Sequence, residues 1–103
     1  MLTYYIYILF SESLNKYYIG YSQNPWNRLI QHLENSSEKF TAKANDWKLK
    51  AVFEVSIIEA EAIRMERFIK KQKSRKLIEQ LCELNFIPNG YLAHLVRVPH
   101  VRD

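Results

Sequence analysis

Residues 4–20 read YYIYILFSESLNKYYIG, two aromatic and β-branched runs flanking a polar connector, which is the pattern of a β-hairpin. Strand side chains alternate with period two. This puts Tyr4, Ile6, Ile8 and Phe10 on one face of the first strand and Tyr5, Tyr7 and Leu9 on the other. The first face is wholly apolar and aromatic and is expected in the core. In the second strand Tyr18 groups with Gly20 and Ser22, opposite Tyr17, Ile19 and Tyr21. A glycine inside a strand weakens it unless a bulge, another backbone or a ligand needs the space, so something is expected to approach closely at Gly20. Tyrosines also suit strands for packing alone, and that structural reading stands beside the functional one.

Outward from the hairpin, Asn24-Pro25 combines an N-cap residue with a proline at the first helical position, which predicts a helix from Pro25 to about Asn35. Trp26, Leu29, Ile30 and Leu33 have the spacing of its buried stripe. Arg28 and His32 are four apart on a neighbouring face, where they could meet one phosphate or serve as a surface charge and a flanking histidine. Residues 35–48 are polar and irregular, with one helical turn expected around Phe40 to Asn45. Lys48 to Ile57 alternates Leu49, Val52 or Phe53, Val55 and Ile57 with polar positions, a third strand. A second helix is predicted from Ile58 to about Gln72, with Ile58, Ala62, Met65 and Ile69 as its apolar stripe. Glu66 sits at the border of that stripe, able either to lean into a cleft or to pair with Lys70 four residues on. Ser74 caps a last helix, Arg75 to about Leu84, that buries Leu77, Ile78 and Leu81. The tail beyond Pro88-Asn89-Gly90 alternates weakly, and its His94 and His100 lack a usual zinc spacing.

These elements fit a single domain over residues 1–86, with 87–103 an unassigned tail. The fold class expected is α/β of the α+β kind, a three-stranded, mainly antiparallel sheet in the order β-β-α-β-α-α. At 103 residues, 48% of them hydrophobic, the chain can bury a core without crosslinks. Its single cysteine, Cys82, excludes an internal disulfide and a cysteine-based zinc site and fits the cytoplasm. The uncharged N-terminal run is about half the ~20 residues that span a bilayer, so no membrane partner is expected. The net charge is +4, but Arg64 to Lys76 holds seven basic residues and one acidic one, a local +6 that leaves the rest at −2. That concentration marks a polyanion-binding segment comprising Arg64, Arg67, Lys70, Lys71, Lys73, Arg75 and Lys76.

Tyr5-Ile6-Tyr7, Tyr18-Ile19-Gly20, Arg28, His32 and Glu66, in this order and on these elements, resemble the GIY-YIG nuclease family over about residues 3 to 84. The likeness is to its small stand-alone members, with Tyr5 where the family name has Gly. The resemblance implies a metal-dependent phosphodiester endonuclease with Tyr7, Tyr18, Arg28 and His32 as catalytic residues. It also implies that Glu66 binds Mg²⁺ or Mn²⁺. The residue types suit the chemistry. A carboxylate can hold one Mg²⁺ that keeps several waters, and an arginine offers a permanently charged fork to a phosphate. A phenol's unperturbed pKa of about 10 is too high for a base at pH 7, so the site must favour phenolate or relay the proton. Tyr7 is expected to be the base and Tyr18 to position water or phosphate. The expected substrate is DNA, structured or damaged DNA included, with RNA still open and no protein partner inferable. Without a zinc finger or helix-turn-helix beside it, low sequence specificity is expected. The alternative is a catalytically inactive nucleic-acid-binding module of the same fold; a small structural domain with a solvated basic helix is a third reading.

Overall fold

The structure is a computed structural model that describes residues 2–34 and 44–99. The hairpin is present: β1 (Tyr4–Ser11) and β2 (Lys16–Ser22) pair antiparallel, with Tyr7 opposite Gly20 and Leu9 opposite Tyr18. Their connector is fixed from a distance. Asp46 accepts from the hydroxyls of buried Ser11 (2.6 Å) and of Ser13 (3.1 Å) and from the Ser13 N–H (2.8 Å). The Ser11 hydrogen bond, then that from the Ser13 backbone, holds the Asp46 carboxyl below the usual aspartate value. Asn15 closes the turn in the left-handed region, φ 54°, a conformation that asparagine tolerates better than most residues.

Next come α1 (Pro25–Glu34), β3 (Trp47–Ser56), α2 (Glu59–Lys71) and α3 (Arg75–Leu81). Then follow a 3-10 helix, Gly90–His94, and β4 (Val96–Arg97). The sheet has four antiparallel strands in the order β2-β1-β3-β4. Three strands were expected. The fourth is two residues long, too short for alternation to reveal it. The tail around it also reaches the core, burying Leu92 and Leu95. The helical turn expected around Phe40 to Asn45 lies largely outside the described residues, as do Asn35 and His100.

β1 is an inner strand, and both of its faces are covered as well. Ile6 and Ile8 join Ile19, Ala51, Phe53, Met65, Ile69 and Leu81 under α2 and α3, while Tyr7 and Leu9 join Trp47, Leu49 and Val52 under α1. A register shift in β3 makes this division possible. Ile8 faces Ala51 and Leu9 faces Leu49, so Lys50 is an extra residue and the alternation changes parity there. Leu49 and Val52 therefore share the α1 face, and Phe53 goes to the other.

The helices depart from their expected stripes in three places. In α1 the buried positions are Pro25 and His32, with Leu29 and Leu33 packed beside them, whereas Trp26 and Ile30 are 41% and 50% exposed. The helix is rotated by roughly one residue, because His32 has a buried hydrogen-bond partner and so can face inward. Ile58 is the N-cap of α2 and is exposed; Ala62, Met65 and Ile69 are its buried residues. In α3, Ser74 caps as expected by accepting from the Leu77 N–H at 3.0 Å, but the helix ends at Leu81 and Leu84 is exposed. The chain tightens there, with Glu83 N–H bonding the Gln80 carbonyl, and leaves the sheet.

Candidate active site

What approaches Gly20 is Tyr7. A Cβ built on Gly20 would stand 2.6 Å from the Tyr7 hydroxyl and 2.7 Å from its Cζ, so the ring lies flat across the position that lacks a side chain. The pairing of Tyr7 with Gly20 in the hairpin register dictates this, since directly opposed residues share a face. The ring is completely buried. Its hydroxyl reaches across to α1 and hydrogen-bonds His32 Nε2 at 3.0 Å. His32 is itself buried, and the phenol supplies the polar partner that burial of an imidazole requires.

Tyr18 completes the group from β2. Its ring centroid lies 4.9 Å from that of His32, edge-on, and 6.3 Å from that of Tyr7; Trp47 is edge-on at 6.5 Å. Tyr18 is half-buried. It is thus the phenol of the cluster that meets solvent, with Tyr7 and His32 behind it. Lys70 Nζ stands 5.8 Å from the centroid of the Tyr18 ring and 3.4 Å from Glu66 Oε2. An ammonium against an aromatic face is attracted by the ring quadrupole.

Glu66 therefore meets the cluster through Lys70, from the side of α2 that faces β2. Seven residues earlier on that side, Glu59 accepts a hydrogen bond from the Tyr21 hydroxyl at 3.0 Å, which is the main reason the Tyr21 phenol titrates above its ordinary value. The Glu66 side chain is 17% exposed and its Lys70 partner 51% exposed. Arg28 sits one turn before His32 on α1, half-buried, and donates to Gln31 Oε1 at 2.9 Å. Among the described residues no group of three or more His, Cys, Asp and Glu side chains could hold a metal by itself.

The seven cations of the basic segment do not form one surface. Lys70 belongs to the Tyr18 cluster. Arg64 lies on the other flank of α2, lining a cleft with Glu61, Tyr91 and His94. Arg67, Lys71 and Lys76 are exposed. Arg75 is committed to the hairpin, donating to the Asn15 carbonyl (2.8 Å), Asn15 Oδ1 (2.7 Å) and Glu79 Oε2 (3.0 Å). Lys73, at φ 49°, turns the chain between α2 and α3 and so breaks the segment into separately aimed parts. Sequence reasoning also passed over Lys16, which the fold sets beside Lys73. Its position two residues before Tyr18 on the same strand face was the available signal.

Among the described residues no helix is long and apolar enough to cross a membrane. A family model described as the GIY-YIG catalytic domain matches residues 3–79. No curated protein and no solved structure matches the chain.

Proposed function

The chain belongs to the GIY-YIG family, whose domain carries a nuclease-type function on DNA, and from that premise we propose a divalent-metal-dependent endonuclease of low sequence specificity. Structured or repair-related DNA is the first substrate class to test. The observation that carries this reading is the buried 3.0 Å hydrogen bond between Tyr7 and His32 with Tyr18 packed against the same imidazole. Burial alone would explain a partner for each polar group; the functional reading rests on that partner being an imidazole that can take the phenol's proton. A phenol bonded to an imidazole nitrogen can accept a proton from water while handing its own to Nε2, which removes the need for a free phenolate. In this reading Tyr7 takes the proton of the attacking water. Because Tyr7 is enclosed, that water enters beside the half-buried Tyr18, whose phenol holds water or phosphate in place. Arg28 offers its guanidinium to the phosphate oxygens as negative charge builds on them.

Glu66 is the candidate metal-holding residue. One carboxylate fits Mg²⁺ or Mn²⁺, because Mg²⁺ is commonly held by one or two carboxylates plus substrate phosphate and keeps several waters. When bound, the ion would polarise a phosphate oxygen and offset charge on the leaving group. Lys70, ion-paired with Glu66 and standing over the Tyr18 ring, links the carboxylate to the tyrosine cluster. Low specificity follows from contacts that are cationic, since phosphate contacts carry no base information.

The 3.4 Å Glu66–Lys70 pair also favours a second reading, an inactive nucleic-acid-binding module in which Glu66 is only a helix surface partner. Incubation of supercoiled plasmid, branched DNA and RNA with Mg²⁺, Mn²⁺ or EDTA separates the two. Nicking abolished by EDTA is expected. Binding without cleavage under every metal condition would leave the second reading in place.

A further inference from the structure

The hairpin tip and the α2–α3 corner are bolted together, and the bolt creates a groove. Arg75 spans them, bonding both oxygen atoms of Asn15 and lying with its guanidinium carbon 5.2 Å from the centroid of the Tyr17 ring. Asn15, left-handed at φ 54°, ends the hairpin connector, and Lys73, at φ 49°, turns the chain between α2 and α3. Between them lies an open cleft of about 260 Å³ lined by Lys16, Tyr17, Lys73, Ser74, Arg75 and Ile78. Tyr17 and Ile78 give it an apolar floor that continues into the core. Glu79 is spent on Arg75. Among the described residues no carboxylate pairs with Lys16 or Lys73, both exposed.

The groove meets the candidate active site only round the edge of the sheet, since its floor residue Tyr17 lies on the α2–α3 face of the edge strand β2 and Tyr18 on the α1 face. Lys16 and Tyr18 share a face of β2, two residues and about 7 Å apart. On the helix side, Lys70 stands over Tyr18 and its carbonyl accepts from the Lys73 N–H at 3.1 Å. Lys16 on the β2 side and Lys73 on the helix side thus lie within a few residues of groups at Tyr18, and both line the groove. Arg64 is on the opposite flank of α2 and outside the groove.

We infer that the Lys16–Lys73 groove is a backbone-phosphate subsite for the DNA strand that continues past the scissile bond. This rests on the reading of the chain as one that acts on DNA. Arg75 builds the groove, with three of its N–H donors held by Asn15 and Glu79, and the two lysines are the phosphate ligands. Two lysines above an apolar floor suit a sugar-phosphate backbone, whose charge is repetitive and whose sugars are weakly polar.

The test is the salt dependence of duplex binding by the full chain in EDTA, where no cleavage intervenes. Neutralising two phosphates accounts for about 1.8 in the slope of log affinity against log salt, and Lys16→Gln/Lys73→Gln is expected to lower the slope by that amount. Arg64→Gln/Arg67→Gln is expected to lower it by less. An unchanged slope in a Lys16→Gln/Lys73→Gln variant with native circular dichroism would overturn the groove. An equal loss from both pairs would also overturn it, since it would mean a diffuse field. The cleavage reading is judged separately, by wild-type nicking of plasmid with Mg²⁺. A chain that fails to nick but loses slope keeps its groove, and one that nicks without losing slope does not.

Discussion

Replacing Gly20 with alanine adds one carbon atom to the back of the Tyr7 ring. That carbon would lie 2.6 Å from the hydroxyl oxygen, 2.7 Å from Cζ and 3.0 Å from Cε1. To restore a van der Waals separation of about 3.5 Å, the ring must retreat by roughly 1 Å. It has little freedom to do so. Tyr7 has no exposed surface, and the hydroxyl that must move is the one His32 holds at 3.0 Å. Overpacking of this kind costs about 1–3 kcal/mol, and loss of the hydrogen bond about 0.5–1.5 kcal/mol more. The smaller conformational freedom of alanine in the unfolded chain returns about 0.4–1 kcal/mol. A net destabilisation of about 2 kcal/mol is expected, equivalent to a fall in melting temperature on the order of 10 °C for a domain of this size. Displacing a catalytic group by 1 Å can cost about a hundredfold in rate, so plasmid nicking should fall by that order even at temperatures where the variant is fully folded. Thermal unfolding by circular dichroism and nicking at 20 °C supply both readouts. A Gly20→Ala protein with the wild-type midpoint and wild-type nicking would refute the account of why this position carries no side chain.

Glu66→Gln keeps shape and removes charge; it is expected to stay folded within a few tenths of a kcal/mol, to bind duplex DNA in EDTA as well as or better than wild type, and to lose Mg²⁺-dependent nicking. Full nicking by this variant would end the metal assignment. The Asp46 carboxyl is held below its ordinary value, so the stability it contributes is present above the unfolded pKa of about 3.9 and is lost as pH falls through the lower folded value. Urea unfolding should therefore show Asp46→Asn weaker than wild type at pH 7, with the gap closing toward pH 2; a gap that does not depend on pH would contradict the role of its charge. Burial pushes the Cys82 thiol up to about 11, so a thiol reagent at pH 8 should label the folded chain far more slowly than the chain in urea. Equal labelling rates would show that the thiol is accessible and ionised.

The hairpin and its two tyrosines were legible because alternation is a local signal and each face had a consistent composition. The close approach at Gly20 was legible as well, but the approaching group was not, since it depends on a strand register that pairs Tyr7 with Gly20 across a connector of uncertain length. In α1 the buried face was misjudged because Trp26 and Ile30 are more hydrophobic than His32, and only the Tyr7 hydroxyl on another element makes burial of the imidazole favourable. The ambiguity between Val52 and Phe53 came from the extra residue at Lys50, a bulge with no glycine to announce it. The basic segment was legible as a concentration of charge along the chain, but not the placement of its residues in space. The left-handed turn at Lys73, a residue with no special preference for that conformation, sends its parts in different directions.

Val96 and Arg97 give the sheet a protected border. They lie along the outside of β3 opposite Glu54 and Phe53, and the Val98 N–H extends the cover to the Val52 carbonyl at 2.9 Å. Arg97 places its guanidinium carbon 4.8 Å from the centroid of the Phe53 ring and donates to the Glu83 carbonyl at 2.8 Å, which secures a strand too short to hold itself. An uncovered strand edge is a template for a strand from another molecule. A chain ended before Val96 would bare the backbone of Val52 to Glu54 beside two fully buried apolar side chains. Such a chain is expected to self-associate as its concentration rises on size-exclusion chromatography, and one that stays monomeric would show that this border needs no guard.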